Sequence, residues 1–230
     1  MPPTARSRAQ WQSMGFIYRS SWLIFRAMFA VYFRWRCFNT DRVPSVGPVI
    51  LAANHASYLD PPLVGAALRR PLSYLARDTL FRFPPIAWLL HRWHVLPVDR
   101  EGGGAAGLRK TLEALANDRA VIIFPEGTRT RTGQLQPVRS GIGLIVLKSG
   151  APVVPVRVFG TFEAYGRQAR FPRPHPVAIK YGKSICFEPL RLEAQTCGKA
   201  RLKEIYQQIA DEIMEAIRSL QCFEDKDTFP

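Results

Sequence analysis

Ala120-Val121-Ile122-Ile123-Phe124 runs directly into Pro125-Glu126-Gly127-Thr128-Arg129-Thr130-Arg131. Five consecutive apolar residues, rich in β-branching and closed by a Pro-x-Gly break, read as a short buried strand that ends abruptly. In an open α/β sheet the residues after such a strand stand in the cleft where ligands bind. Arg129 offers a planar guanidinium suited to phosphate, and Glu126 can hold a hydroxyl or fix that arginine. An internal Glu126–Arg129 pair that only stiffens the turn is the alternative.

Outward from this stretch the same alternation recurs. Short β-rich runs at 48–53, 73–76, 94–98, 153–159 and 177–181 are separated by helical stripes, among them Leu108, Leu112 and Leu115, and Ile142, Ile145 and Val146 before Gly150. A final helix over about 199–220 places Leu202, Ile205, Ile209, Ile213, Ile217 and Leu220 on one face, as a helix docking on the core requires. The pattern predicts an α/β fold, a layered mixed sheet flanked by helices. Three segments are expected: an N-terminal helical segment at 1–38, one domain at 39–222, and an acidic flexible tail at 223–230. A chain of 230 residues buries roughly 70% or more of its unfolded surface, enough for one sizeable core.

The segment at 1–38 differs from the rest. Trp11 to Phe33 is nearly all apolar or aromatic, yet Arg19 and Arg26 break it and Arg34 and Arg36 follow, so no run reaches a membrane-spanning length. Gln12, Arg19 and Arg26 recur every seven residues and share a stripe, with Ile17, Ile24, Met28 and Val31 opposite. This predicts an amphipathic, membrane-associated helix or helical hairpin; a core helix with snorkelling arginines is the alternative. Arg26 interrupts the apolar region and no small-x-small site follows, which argues against a cleaved signal peptide.

Lys and Arg number 32 against 18 Asp and Glu, a formal net charge of +14, and hydrophobic residues make up 47%. Disorder and low-complexity architectures are excluded by that apolar content. Residues 199–230 hold five basic and seven acidic side chains, so the excess lies in the first 198 residues. Such a field suits anionic lipid, a phosphorylated small substrate or nucleic acid. Four scattered cysteines, with no C-x-x-C pair, point to a reduced compartment.

A second constellation follows the run at 48–53: Asn54-His55-Ala56-Ser57-Tyr58-Leu59-Asp60, then Pro61-Pro62. A histidine and an aspartate five residues apart in a loop can fold onto one another. The carboxylate then orients the imidazole and stabilises the imidazolium formed when it takes a proton from a hydroxyl. His55 is the candidate base and Asp60 its orienter; equally, Asp60 could be an N-cap before proline and His55 a satisfied loop residue. Arg100, after Leu96-Pro97-Val98-Asp99, is a candidate second phosphate ligand or a surface arginine. Gly102 to Gly107 matches G-x-G-x-x-G, but Asp99-Arg100-Glu101 separates it from the preceding strand, unlike a dinucleotide fingerprint. No G-x-S-x-G elbow surrounds a serine. His91 and His94 have no third ligand nearby, so no metal site is expected.

Together these motifs resemble the glycerolipid acyltransferase family, best known from 1-acylglycerol-3-phosphate acyltransferases. N-H-x-x-x-x-D is Asn54-His55 to Asp60, F-P-E-G-T-R is Phe124 to Arg129, and Val98-Asp99-Arg100 occupies the place of an intermediate block. That block lacks the family's aromatic-isoleucine pair. Val153-Val154-Pro155-Val156 is similar to the valine-proline block that follows, so the resemblance covers about residues 40–160. It implies that His55 and Asp60 are catalytic, and that Arg100, Glu126, Gly127, Thr128 and Arg129 bind substrate. The implied reaction is direct transfer of a fatty acyl chain from acyl-CoA or acyl-carrier protein to the free hydroxyl of 1-acylglycerol 3-phosphate, giving phosphatidic acid. No acyl-enzyme, metal or organic cofactor is implied, and the expected location is the cytoplasmic face of a membrane. Other acceptors, namely glycerol 3-phosphate, other lysophospholipids or a lyso-aminolipid, share the motifs. The rivals of another class are a non-catalytic lipid-binding protein and a nucleic-acid binder. The second lacks a basic helix stripe or an RNA-recognition signature, so no nucleic-acid partner is expected.

Overall fold

The computed structural model describes residues 15–98 and 105–221. Arg100, most of the glycine run at 102–107, Trp11 and the tail at 223–230 lie outside the described residues. In chain order the elements are α1 (Phe16–Val31), β1 (Arg36–Phe38), β2 (Val49–Ala53), α2 (Asp60–Ala67), β3 (Leu72–Arg77), α3 (Pro84–Arg92) and β4 (Val95–Val98). They continue with α4 (Ala105–Ala116), β5 (Ala120–Ile123), α5 (Gly141–Ser149), β6 (Val153–Phe159), α6 (Thr161–Tyr165), β7 (Ala178–Tyr181), α7 (Glu188–Thr196) and α8 (Lys199–Ser219). A 3₁₀ turn, Asp78–Phe81, joins β3 to α3.

Seven strands form one sheet in the order β1-β7-β6-β2-β5-β3-β4. Strands β2 to β6 are parallel to one another. β7 pairs antiparallel with β6 and parallel with β1, so the β7–β1 edge runs against the rest and the sheet is mixed. Every residue of β2 and β5 is buried, as continuous apolar runs at the centre of a two-faced sheet require.

Alternation along the strands divides the core. Val49, Leu51 and Ala53 of β2 face a cluster completed by Phe29 and Phe33 at the N-terminal end and Leu63 and Val64 of α2. Ile50 and Ala52 face the opposite cluster, with Val121 and Ile123 of β5, Ile142 and Val146 of α5, and Ile205, Ile209, Ile213 and Ile217 of α8. Those four isoleucines are fully buried, and each such side chain contributes on the order of 1.5–3 kcal/mol. The C-terminal helix therefore docks as its periodicity predicts. A Cβ at Gly143 would collide with the Tyr206 carbonyl, so α5 and α8 cross closely only because that position is glycine.

One predicted helix face is corrected, and one residue of another. The buried side of α4 is Gly107, Thr111, Ala114 and Leu115, while Leu108 and Leu112 are half-buried along a surface groove. In α1, Tyr18 and Phe29 are buried and Phe25 packs against the core, whereas Ile24 and Val31 are exposed. Arg26 turns inward: its guanidinium donates to the Ala66 carbonyl (2.9 Å) and lies over the rings of Trp22 and Trp35. Bulky rings reach the sheet from the α1 side, and Ile24 and Val31 of the aliphatic stripe face outward. β1, unforeseen in the sequence, adds Arg36–Phe38 to the sheet edge. No helix among the described residues is long and apolar enough to cross a membrane.

Candidate active site

β2 and β5 are parallel neighbours, with Ala52 opposite Ile123, so the loops that follow them leave the same edge of the sheet. This brings His55 and Glu126 together across 71 residues: the His55 amide donates to Glu126 Oε1 (3.2 Å). The Thr130 amide donates in turn to the His55 carbonyl (2.9 Å). Both backbone polar groups of His55 are thus held by the second loop. Asn54 anchors the first loop on its other side, since its amide accepts from the Val158 N–H (2.8 Å) and donates to the Val158 carbonyl (3.2 Å) of β6.

Asp60 is fully buried, and Oδ2 lies 2.8 Å from His55 Nδ1. The same oxygen accepts the amides of Ala56 (2.6 Å) and Ser57 (2.7 Å). The N-cap alternative does not hold: Leu59 is the cap residue, and Asp60 opens α2 with its carboxylate turned back over the loop. The two prolines that follow suit a first helical turn, where amide donors have no intrahelical acceptor. A carboxylate at Nδ1 fixes that nitrogen as the donor, leaving Nε2 as the proton acceptor of a neutral imidazole. The ring stacks on Phe124 with centroids 3.9 Å apart and planes 18° from parallel, which sets its orientation.

Glu126 is buried, and desolvation pushes its pKa up from 4.5 to about 7, with the Asp60 charge acting in the same direction. Backbone donors from His55 and Gln136, and the charge of Arg157, oppose that rise. Its Oε2 has no hydrogen-bond partner among the described residues. Gly127 takes a left-handed φ of +70°, and a Cβ there would meet Arg139 Nε at 2.8 Å, so the turn demands glycine. Thr128 is half-buried in the same loop. The internal Glu126–Arg129 pair does not form. The Arg129 guanidinium lies 3.3 Å from the Tyr58 ring centroid, and its buried Nη1 has no hydrogen-bond partner among the described residues.

Six of the seven candidate residues, His55, Asp60, Glu126, Gly127, Thr128 and Arg129, therefore meet at one edge, and the seventh, Arg100, lies outside the described residues. Sequence reasoning missed Phe124 and Tyr58 as platforms for His55 and Arg129; their signal was an aromatic beside each motif's polar residue. Among the described residues no group of three or more His, Cys, Asp or Glu side chains is placed to hold a metal ion. An arrangement of this kind can accept a proton at Nε2 while a guanidinium holds an anionic group nearby.

The acyltransferase family model matches residues 34–159, just over half of the chain and the whole of the region just described. The chain belongs to the acyltransferase family. Among relatives of this acyltransferase chain is a chloroplastic 1-acyl-sn-glycerol-3-phosphate acyltransferase of Brassica napus, 31% identical over 116 residues, covering 50% of this chain and 33% of the relative. The Chlamydomonas reinhardtii enzyme of the same name is 31% identical over 163 residues, covering 69% and 48%. That of Borreliella burgdorferi is 30% identical over 125 residues, covering 54% and 50%. The match thus spans between a third and a half of these relatives' length. The crystal structure of the 1-acyl-sn-glycerophosphate acyltransferase of Thermotoga maritima has the same fold, with a TM-score of 0.67 and 22% identity over 95% of this chain and 85% of that one.

Proposed function

We propose that this acyltransferase moves a fatty acyl chain from acyl-CoA or acyl-carrier protein to the free hydroxyl of 1-acylglycerol 3-phosphate, giving phosphatidic acid. The observation that carries the reading is the His55 Nδ1 to Asp60 contact of 2.8 Å, set beside Glu126 in a chain of this family. In the proposed step, His55 Nε2 takes the acceptor's hydroxyl proton, and that oxygen attacks the thioester carbonyl carbon. The carbon–sulfur bond then breaks, and the imidazolium returns the proton to the departing thiolate. Asp60 stabilises the imidazolium. Arg129 holds the acceptor phosphate, and the Gly127-Thr128 backbone and Glu126 position its glycerol portion, with Arg100 a further candidate ligand. Neither a metal nor an organic cofactor takes part in this scheme.

The acceptor is a membrane lipid, so we place the chain at a cytoplasmic membrane surface. Support comes from α1, which exposes Phe16, Leu23, Ile24 and Val31 beside the exposed Arg19. The test is thiol release with acyl-CoA and a panel of lysolipids, followed by mass spectrometry of the product. Phosphatidic acid formation is expected, with loss of about 10²–10⁴-fold in His55→Ala, the range of a general base. Wild-type turnover in a folded His55→Ala chain, or no acylation of lysophosphatidate, would overturn the proposal.

A further inference from the structure

Residues 78–92, the 3₁₀ turn and α3, include Leu80, Phe81, Phe83, Ile86, Trp88, Leu89 and Leu90, yet not one of the fifteen is buried. Leu80, Phe83, Ile86 and Trp88 are between 44% and 59% exposed. A helix whose apolar side chains find no place in its own core is covered by something else. The bordering charges are almost all basic: Arg77, Arg82 and Arg92 are exposed, with Asp78 as the sole acid of the segment. The Arg92 guanidinium lies 5.3 Å from the Trp88 ring centroid.

The segment's position narrows its partner. β3 runs parallel to β5, so the segment leaves the sheet at the edge that carries His55 and Glu126. Its far end meets α1: Trp93 Nε1 donates to Ser21 Oγ (3.0 Å), and the Trp93 ring packs edge-on against Phe25. The exposed Leu23 and Ile24 of α1 therefore belong to a helix joined directly to this segment.

We propose that the 78–92 segment is a second bilayer-contact element, which acts with α1 to seat the rim of the active site on an anionic membrane surface. Trp88 and Phe83 enter the headgroup region, and Arg77, Arg82 and Arg92 pair with lipid phosphates. The choice of a bilayer over a protein partner rests on the lipid-acceptor reading above, together with the basic border.

The test uses the full chain and vesicles of phosphatidylcholine with phosphatidylglycerol, and turnover is not a readout. Failure of the acyl-transfer assay therefore leaves it standing. Ile86→Asp with Trp88→Asp should weaken vesicle binding about ten-fold or more, since two apolar side chains leave the interface and two negative charges face the anionic surface. Leu192→Asp, an exposed apolar position on α7, should leave it unchanged. A second measurement does not depend on the fold of the doubly charged variant: vesicles with brominated acyl chains should quench wild-type tryptophan emission more than that of Trp88→Phe. Equal quenching in the two proteins overturns the proposal. So does unchanged vesicle binding by the folded double variant, or a wild-type dimer that this variant converts to monomer with vesicle binding intact.

Discussion

Glu126→Gln separates the electrostatic cost of the site from its purpose. Glutamine keeps the shape and one carbonyl oxygen, so the amide of His55 retains its acceptor. It removes the charge that burial opposes. A carboxyl whose pKa rises from 4.5 to about 7 on folding binds its proton more tightly in the folded state. Stability therefore falls as pH rises through that window, and the loss is complete above about 7. At about 1.4 kcal/mol per pH unit, this corresponds to at most roughly 3.5 kcal/mol, less whatever solvent screens. Urea unfolding of both proteins between pH 4 and 8 should show near-equal stability at the acid end. The variant should gain on the wild type by up to that amount at the alkaline end, while acyl transfer declines. A stability difference independent of pH would refute the burial argument. Greater stability with undiminished turnover would remove Glu126 from the substrate site.

Asp60→Asn preserves an oxygen for the Ala56 and Ser57 amides but cannot stabilise an imidazolium, so kcat should drop at least about 10²-fold with little change in KM; a pH–rate profile that keeps its shape would contradict this. Arg129→Lys replaces a stacked, forked cation by a point charge, and should raise KM for the phosphorylated acceptor far more than for the thioester donor. Equal effects on both substrates would make Arg129 a scaffold residue.

The strands at 49–53 and 120–123, and the Val153–Val156 start of the strand at 153–159, were legible because a strand buried on both faces must be continuously apolar, and turn residues mark its ends. The two polar loops were legible for the same reason, since each follows such a strand. What the sequence hid depends on distant partners. Arg36–Phe38 pairs with a strand some 140 residues away and carries no apolar run of its own. Asn54 looks like any loop asparagine until Val158 arrives to bond both ends of its amide. In α1, apolar residues occupy most of the circumference, so periodicity could not say which side the core would take. The outcome matters for experiment: Phe29 and Phe33 are fully buried and β1 is a sheet strand, so deleting residues 1–38 would damage the fold. Membrane attachment is better probed by surface substitutions.

The distribution of unmet hydrogen bonds gives the site a physical signature independent of its motifs. Buried polar atoms are nearly always paired, and each exception costs about 1–3 kcal/mol. Among the described residues five buried side-chain polar atoms have no hydrogen-bond partner, and three are Asp60 Oδ1, Glu126 Oε2 and Arg129 Nη1. They come from two loops that follow adjacent strands, in a region where backbone groups are closely matched: His55 and Val158 are each tied at both amide and carbonyl. A structural network under selection only for stability would pair Glu126 with Arg129, which are three residues apart. Here the guanidinium is instead held against Tyr58, and the carboxyl is left with a raised pKa. Two unpaired acceptor atoms and one unpaired cationic donor suit the hydroxyl and phosphate of the proposed acceptor. In the proposed reaction the unsatisfied groups and His55 would act as a single unit.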